Sequence, residues 1–159
     1  MLIAALLFGG AAKTFSQTPS LVWQKTYGGP KPEYGLCSAR LGPNLFVHGG
    51  KKETPAGGGI MLLFTDANGD SLYSRVDTTF YTGKIYSIAA NDDGSFVGCG
   101  YYGKAGLSAT FLIKFNQFGT IIWQKDFNIG SSANNQEVIR VPDGSYWFPI
   151  TRLILLKLT

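Results

Sequence analysis

Histidine is nearly absent from this chain, with His48 its only representative. Cysteine is almost as scarce: Cys37 and Cys99 stand alone, without a Cys-x-x-Cys spacing. A structural zinc site takes four Cys or His ligands, so three such residues exclude one. A disulfide between the two is open in an oxidising compartment, but they fall at different places in the repeat described below and two free buried thiols are the preferred reading. Charge is thin, with 15% of residues charged against the usual ~25%. The net charge of +4 is scattered, and Lys51-Lys52 is the longest basic run. Nucleic-acid binding needs a clustered basic patch, so no nucleic-acid partner is expected. Long apolar runs are missing as well. The leading stretch Leu2-Ile3-Ala4-Ala5-Leu6-Leu7-Phe8 falls well short of the ~20 residues of a spanning helix, which argues against a transmembrane protein.

Glycine, by contrast, is abundant: 21 of 159 residues, nearly twice the usual ~7%. Aromatic and β-branched residues fill the space that charge leaves. This composition suits short strands joined by tight turns. Residues 1–16 stand apart, because their apolar run is followed by small residues and Thr14-Phe15-Ser16 offers a small-x-small cleavage site. They read as a secretory signal peptide, which places residues 17–159 in an exported, periplasmic or cell-surface protein.

A period of fifty residues runs through the remainder. Leu21-Val22-Trp23-Gln24-Lys25 is nearly repeated as Ile121-Ile122-Trp123-Gln124-Lys125, with Ser71-Leu72-Tyr73-Ser74-Arg75 as a weaker copy between them. Phe46, Phe96 and Tyr146 keep the same step, as do Val47, Val97 and Trp147, and the turns Asp93-Gly94-Ser95 and Asp143-Gly144-Ser145. A fixed period of roughly 20–50 residues marks a repeat architecture. Strand-like runs separated by turn signals predict an all-β fold. Four strands are expected per period: 21–27, 35–41, 45–49 and 60–65, then 71–77, 85–90, 95–101 and 110–115, then 120–127, 137–141, 145–150 and 154–158. Short turns (66–70, 91–94, 116–119, 142–144) alternate with longer connections (28–34, 50–59, 78–84, 102–109, 128–136). In an antiparallel meander the short turns then share one end and the long loops the other, and binding tends to live on variable loops.

These motifs resemble secreted β-propeller-like repeats of bacterial proteins that carry a C-terminal secretion sorting domain. The resemblance rests on Trp23-x-Lys25-Thr26-Tyr27-Gly28-Gly29, on Asp93-Gly94-Ser95-Phe96-Val97, and on the run from Phe111 to Lys125. More loosely, Leu45-Phe46-Val47-His48-Gly49-Gly50 is similar to the kelch strand that ends in paired glycines, with Cys99-Gly100 and Pro149-Ile150 at the equivalent places. The resemblance implies four-stranded antiparallel blades, here about 2.5–3 of them at 35–77, 85–127 and 137–159, with 21–27 as an orphan outer strand. Rings use roughly 4–8 blades, so a fragment of a larger propeller is expected, with further blades in a longer chain.

No catalytic residue is assigned, and no cofactor or metal. Asp66-x-Asn68-x-Asp70 begins like a calcium loop, but an EF-hand has Gly at its sixth place and Glu at its twelfth. Ser71 and Asp77 stand there, and the equivalent turn offers Asn116, Phe118 and Thr120, so a polar hairpin turn is expected. Gly57-Gly58-Gly59 precedes a strand and lacks the helix N-terminus of a phosphate loop. A Ser–His–Asp triad would have to use His48, whose equivalents are Gly98 and Phe148. Trp23, Tyr73 and Trp123 recur at one place and read as packing. The binding candidates are Tyr81, Tyr101 and Tyr102 at the long-loop end, where an amphipathic ring suits protein or polysaccharide contact. The expected function is a non-catalytic binding or scaffold module. The alternative is part of a carbohydrate-active hydrolase or lyase whose site lies partly outside these residues.

Overall fold

The structure, a computed structural model, describes residues 20–158 apart from 56, 105–106, 129–136 and 152–153. The expected signal peptide at 1–16 lies outside the described residues. All described secondary structure is β, in eleven antiparallel strands forming three meander sheets. Sheet one comprises β1 (Glu33–Leu41), β2 (Leu45–Lys52), β3 (Gly59–Thr65) and β4 (Ser71–Asp77). Sheet two comprises β5 (Lys84–Ala90), β6 (Phe96–Lys104), β7 (Leu107–Phe115) and β8 (Ile121–Asn128). Sheet three has β9 (Ile139–Arg140), β10 (Tyr146–Thr151) and β11 (Ile154–Leu158). Each strand pairs with its neighbour in sequence, so spatial order copies chain order. Among the described residues the sheets do not close into a ring.

The register of the repeat is physical. Phe96 stands opposite Phe115, and Tyr146 stands opposite Leu158. β11 is therefore the counterpart of β7, and the text Leu155-Leu156-Lys157-Leu158 matches Leu112-Ile113-Lys114-Phe115. The tight turns share one design. In sheet two the Asp93 carboxylate accepts from the Ser95 backbone N–H at 3.0 Å and hydroxyl at 2.5 Å. In sheet three Asp143 does the same for Ser145, at 2.9 and 2.5 Å. Gly94 and Gly144 both sit at φ +81°, a left-handed conformation that glycine adopts without steric cost.

Sheets stack face on face through a recurring apolar layer. Val47, Leu62 and Phe64 of sheet one pack on Ile85, Ile88, Phe96 and Phe115 of sheet two. Phe64 meets Phe96 edge-on with centroids 6.4 Å apart. Fifty residues later Val97 and Leu112 pack on Phe148 of sheet three and on Val138, just before β9. Burying one such side chain contributes about 1.5–3 kcal/mol, so these layers hold the stack.

Three expectations change. Residues 21–27, expected as an outer strand, form none: their text matches β8, but no sheet edge among the described residues pairs with them. They run instead as an exposed strap. The strand expected at 137–141 shrinks to Ile139–Arg140. The long connection expected at 102–109 is mostly strand, because β6 and β7 continue as a hairpin and pair as far as Lys104 opposite Leu107.

Candidate functional site

The strap is tied to sheet one by the turn between β3 and β4. Lys25 Nζ lies 2.5 Å from Asp70 Oδ1, and the Tyr27 hydroxyl donates to the Gly69 carbonyl. The Trp23 ring lies over Gly69, where a Cβ would come within 2.7 Å of it. The same device joins the first two sheets. From β4 the Tyr73 hydroxyl donates to the Gln117 carbonyl, and Arg75 donates to the Phe118 carbonyl at 3.2 Å and the Thr120 hydroxyl at 3.0 Å. The ladder Trp23, Tyr73, Trp123 is thus a packing ladder whose first two steps are latches on the next sheet's turn.

The Asp66–Asp70 turn uses its carboxylate internally. Asp66 Oδ1 accepts from the N–H groups of Asn68 and Asp70 at 2.9 and 2.8 Å. Asn116 Oδ1 accepts from Phe118 and Thr120 at 3.0 and 2.9 Å in the equivalent turn. A neutral amide fills the same role, so the turn asks for an acceptor oxygen rather than for charge. Among the described residues no group of three His, Cys, Asp or Glu is placed to hold a metal. Both thiols are free, and burial pushes the Cys37 pKa up to about 12 and that of Cys99 higher still.

The three tyrosine candidates part company. Tyr102 is 5% exposed, packed on Phe80 and Phe111 with centroids 5.2 and 5.9 Å away, and its hydroxyl donates to Asp126 at 2.7 Å. Burial, and then the Asp126 carboxylate, push its phenol up to about 12. It is a core residue, not a surface one. Tyr101, one residue earlier, faces the other way as strand alternation requires, and stacks on Tyr86 at 5.8 Å. Tyr81 alone is displayed, 52% exposed. Its ring covers Gly57 of the β2–β3 loop, and its carbonyl accepts from Gly103 N–H of β6 at 3.0 Å. The next residue, Thr82, has φ +55°, an outlier for a β-branched side chain. Two sheets and a strained turn therefore converge to hold one exposed aromatic.

A second arrangement escaped the sequence reading because its parts come from three strands. Ser38 Oγ and His48 Nδ1 share a hydrogen bond of 2.7 Å, and His48 Nε2 lies 3.1 Å from Thr65 Oγ1. Burial holds the His48 pKa below its ordinary value, which favours the neutral ring at pH 7. This chain lies on the face of sheet one turned away from sheet two, in a cleft of about 730 Å³ lined also by Tyr27, Leu36, Met61 and Leu63. Glu33 Oε1 lies 2.5 Å from Lys52 Nζ at its rim, an ion pair by distance without the angle of a hydrogen bond. His48 has a hydroxyl where a catalytic triad has its carboxylate.

No family model matches the sequence, and no curated protein matches it either.

Proposed function

We propose that this chain is an exported, non-catalytic binding or scaffold module built from propeller-type blades, which contacts polysaccharide or protein at its long-loop end. The observation that carries this reading is Tyr81. It is an exposed ring fixed between the loops of two sheets and followed by a left-handed threonine. Strained residues of this kind persist where their surroundings over-determine them, and they cluster at ligand sites. An amphipathic ring held in place loses little entropy on binding. Two ion pairs elsewhere serve the structure: Arg140 ties sheet three to Asp92 at 2.7 Å, and Lys114 pairs with Asp93 at 2.8 Å. Export is supported by the leading apolar stretch and its cleavage pattern. In this reading further blades complete the propeller.

Affinity electrophoresis through gels containing neutral soluble polysaccharides tests it. The wild type is expected to be retarded on at least one, and Tyr81→Ala to weaken that binding about tenfold, in the range of a truncated aromatic anchor. No retardation on any gel, or retardation unchanged in Tyr81→Ala, overturns the polysaccharide site. Release of reducing ends from the retarding polysaccharide would favour the hydrolase reading.

A further inference from the structure

The members of the Ser38–His48–Thr65 chain sit at places where sheet one departs from the other two sheets. Fifty residues on from Ser38 and His48 stand Ile88 and Gly98, and fifty further stand Val138 and Phe148. Thr65 lies opposite Phe46 as Phe115 lies opposite Phe96. Ile88 and Phe115 belong to the apolar layer shared with sheet one, and Val138 and Phe148 to the next layer. At the places by which sheets two and three meet the preceding sheet, sheet one thus carries two hydroxyls and an imidazole. Singly such departures mean little. Here hydrogen bonds across three strands join them into one group.

This face is also covered and hollow rather than bare. Ser38, His48, Leu63 and Ser74 stand opposite one another in a row across all four strands. Leu63 and its neighbour Met61 are only 8% and 9% exposed. The strap forms one wall of the cleft with Thr26, Tyr27 and Gly28. At the rim Glu33 Oε1 is buried against Lys52 and accepts no hydrogen bond among the described residues. The strap passes close to this pair, since a Cβ on Gly29 would stand 3.6 Å from Oε1 and 3.8 Å from Nζ. Glu33 and Lys52 are the charged side chains of the lining, and they offset each other.

We propose that this cleft is a binding site for a neutral oligosaccharide of two or three rings. The apolar face of a ring lies on Met61 and Leu63. Its hydroxyls meet Ser38, whose exposed hydroxyl can both give and take a hydrogen bond. At the rim another hydroxyl donates to Glu33 the hydrogen bond it lacks. Five residues of β1 separate Ser38 from Glu33, roughly 15 Å of strand, a span that a single ring does not cover. The volume of about 730 Å³ lies within the roughly 300–1,000 Å³ of small-molecule sites. An anion or a cation finds no unpaired opposite charge in these walls. A wholly apolar ligand leaves their hydroxyls, imidazole and carboxylate without water or partner, which is costly. The site is separate from Tyr81 and does not depend on it.

Saturation-transfer NMR on the full chain tests it, with cellotriose, maltotriose, laminaritriose and mannotriose as probes. Transfer to at least one of them is expected. Ser38→Ala should weaken that binding ~5-fold, the effect of one hydrogen bond, and Glu33→Gln ~10-fold or more, since a charged acceptor is lost. Tyr81→Ala is expected to bind as the wild type does. No transfer to any of the four sugars overturns the proposal. So does unchanged binding in Ser38→Ala, a surface substitution that leaves the sheet intact and decides the matter even where Glu33→Gln fails to fold. Weakening in Tyr81→Ala alone removes the cleft site and leaves the Tyr81 site standing. Weakening confined to the Ser38 and Glu33 variants supports the cleft, whatever becomes of Tyr81.

Discussion

Gly50 and Gly100 close β2 and the corresponding part of β6 at places where the backbone opposite leaves no room. A Cβ at Gly50 would overlap the Tyr34 carbonyl, and one at Gly100 the Lys84 carbonyl. Both lie beside a bulge in the pairing strand, at Gly35/Cys37 and Ile85/Ser87. At the equivalent place the third repeat carries Ile150 in its sequence. Gly100→Ala is therefore expected to cost about 3 kcal/mol or more, as a backbone clash at a buried site. Gly94→Ala, which meets nothing within 4 Å, should cost only ~1–2 kcal/mol for its left-handed φ. Chemical denaturation of the two variants checks the order, and equal losses would refute it. Thr110 makes the opposite case. It is fully buried and its hydroxyl has no hydrogen-bond partner among the described residues, while the equivalent residue of sheet one is Ile60. An unpaired buried hydroxyl costs ~1–3 kcal/mol, so Thr110→Val is expected to raise the midpoint of unfolding.

At the scale of the element, the outer strand does two jobs, pairing within its own sheet and latching the next. Tyr73 also stacks on Phe64 with centroids 4.6 Å apart. Tyr73→Phe keeps that stack and loses only the hydroxyl, so a drop of ~1 kcal/mol is expected. Arg75→Ala should cost a similar amount, and the double variant less than the sum because both grip one turn. Thermal unfolding of the three proteins tests this. The latches explain what the sequence could and could not disclose. The fifty-residue step was legible because the places of Phe96 and Val97 carry apolar or aromatic side chains in each sheet, Phe46 and Val47 in the first and Tyr146 and Trp147 in the third. The strap was misread because its letters are those of β8, and a strand needs an edge as well as letters. Tyr102 read as a loop residue beside Gly103, yet the hairpin runs on and Phe80 arrives from another loop to bury it. The Ser38–His48–Thr65 chain had no signal at all, since sequence distance hides neighbours across strands.

For the molecule as a whole, acid stability follows from His48 and Asp93. The imidazole is held below its ordinary pKa by burial, so unfolding takes up a proton once pH falls through the ordinary value of ~6.5. Its contribution is complete above that value and shrinks below it. Asp93, held far below the carboxylate range by Lys114 and then Ser95, contributes above ~3.9 and loses that contribution in stronger acid. Between pH 7 and 5 only the first of these acts. Thermal midpoints should fall over that interval in the wild type and stay flatter in His48→Gln. Parallel curves for the two would refute the assignment.

The coincidence of spatial order with chain order bears on synthesis. Every described strand finds its hydrogen-bonding partner in a sequence neighbour, and no ladder among the described residues waits for a distant segment. Loop closure in each hairpin is short, which favours rapid local pairing. Sheet one can be complete while β8 is still inside the ribosome, and its apolar face then templates sheet two as that sheet emerges. The molecule can grow as a stack laid down one layer at a time from the N-terminal side.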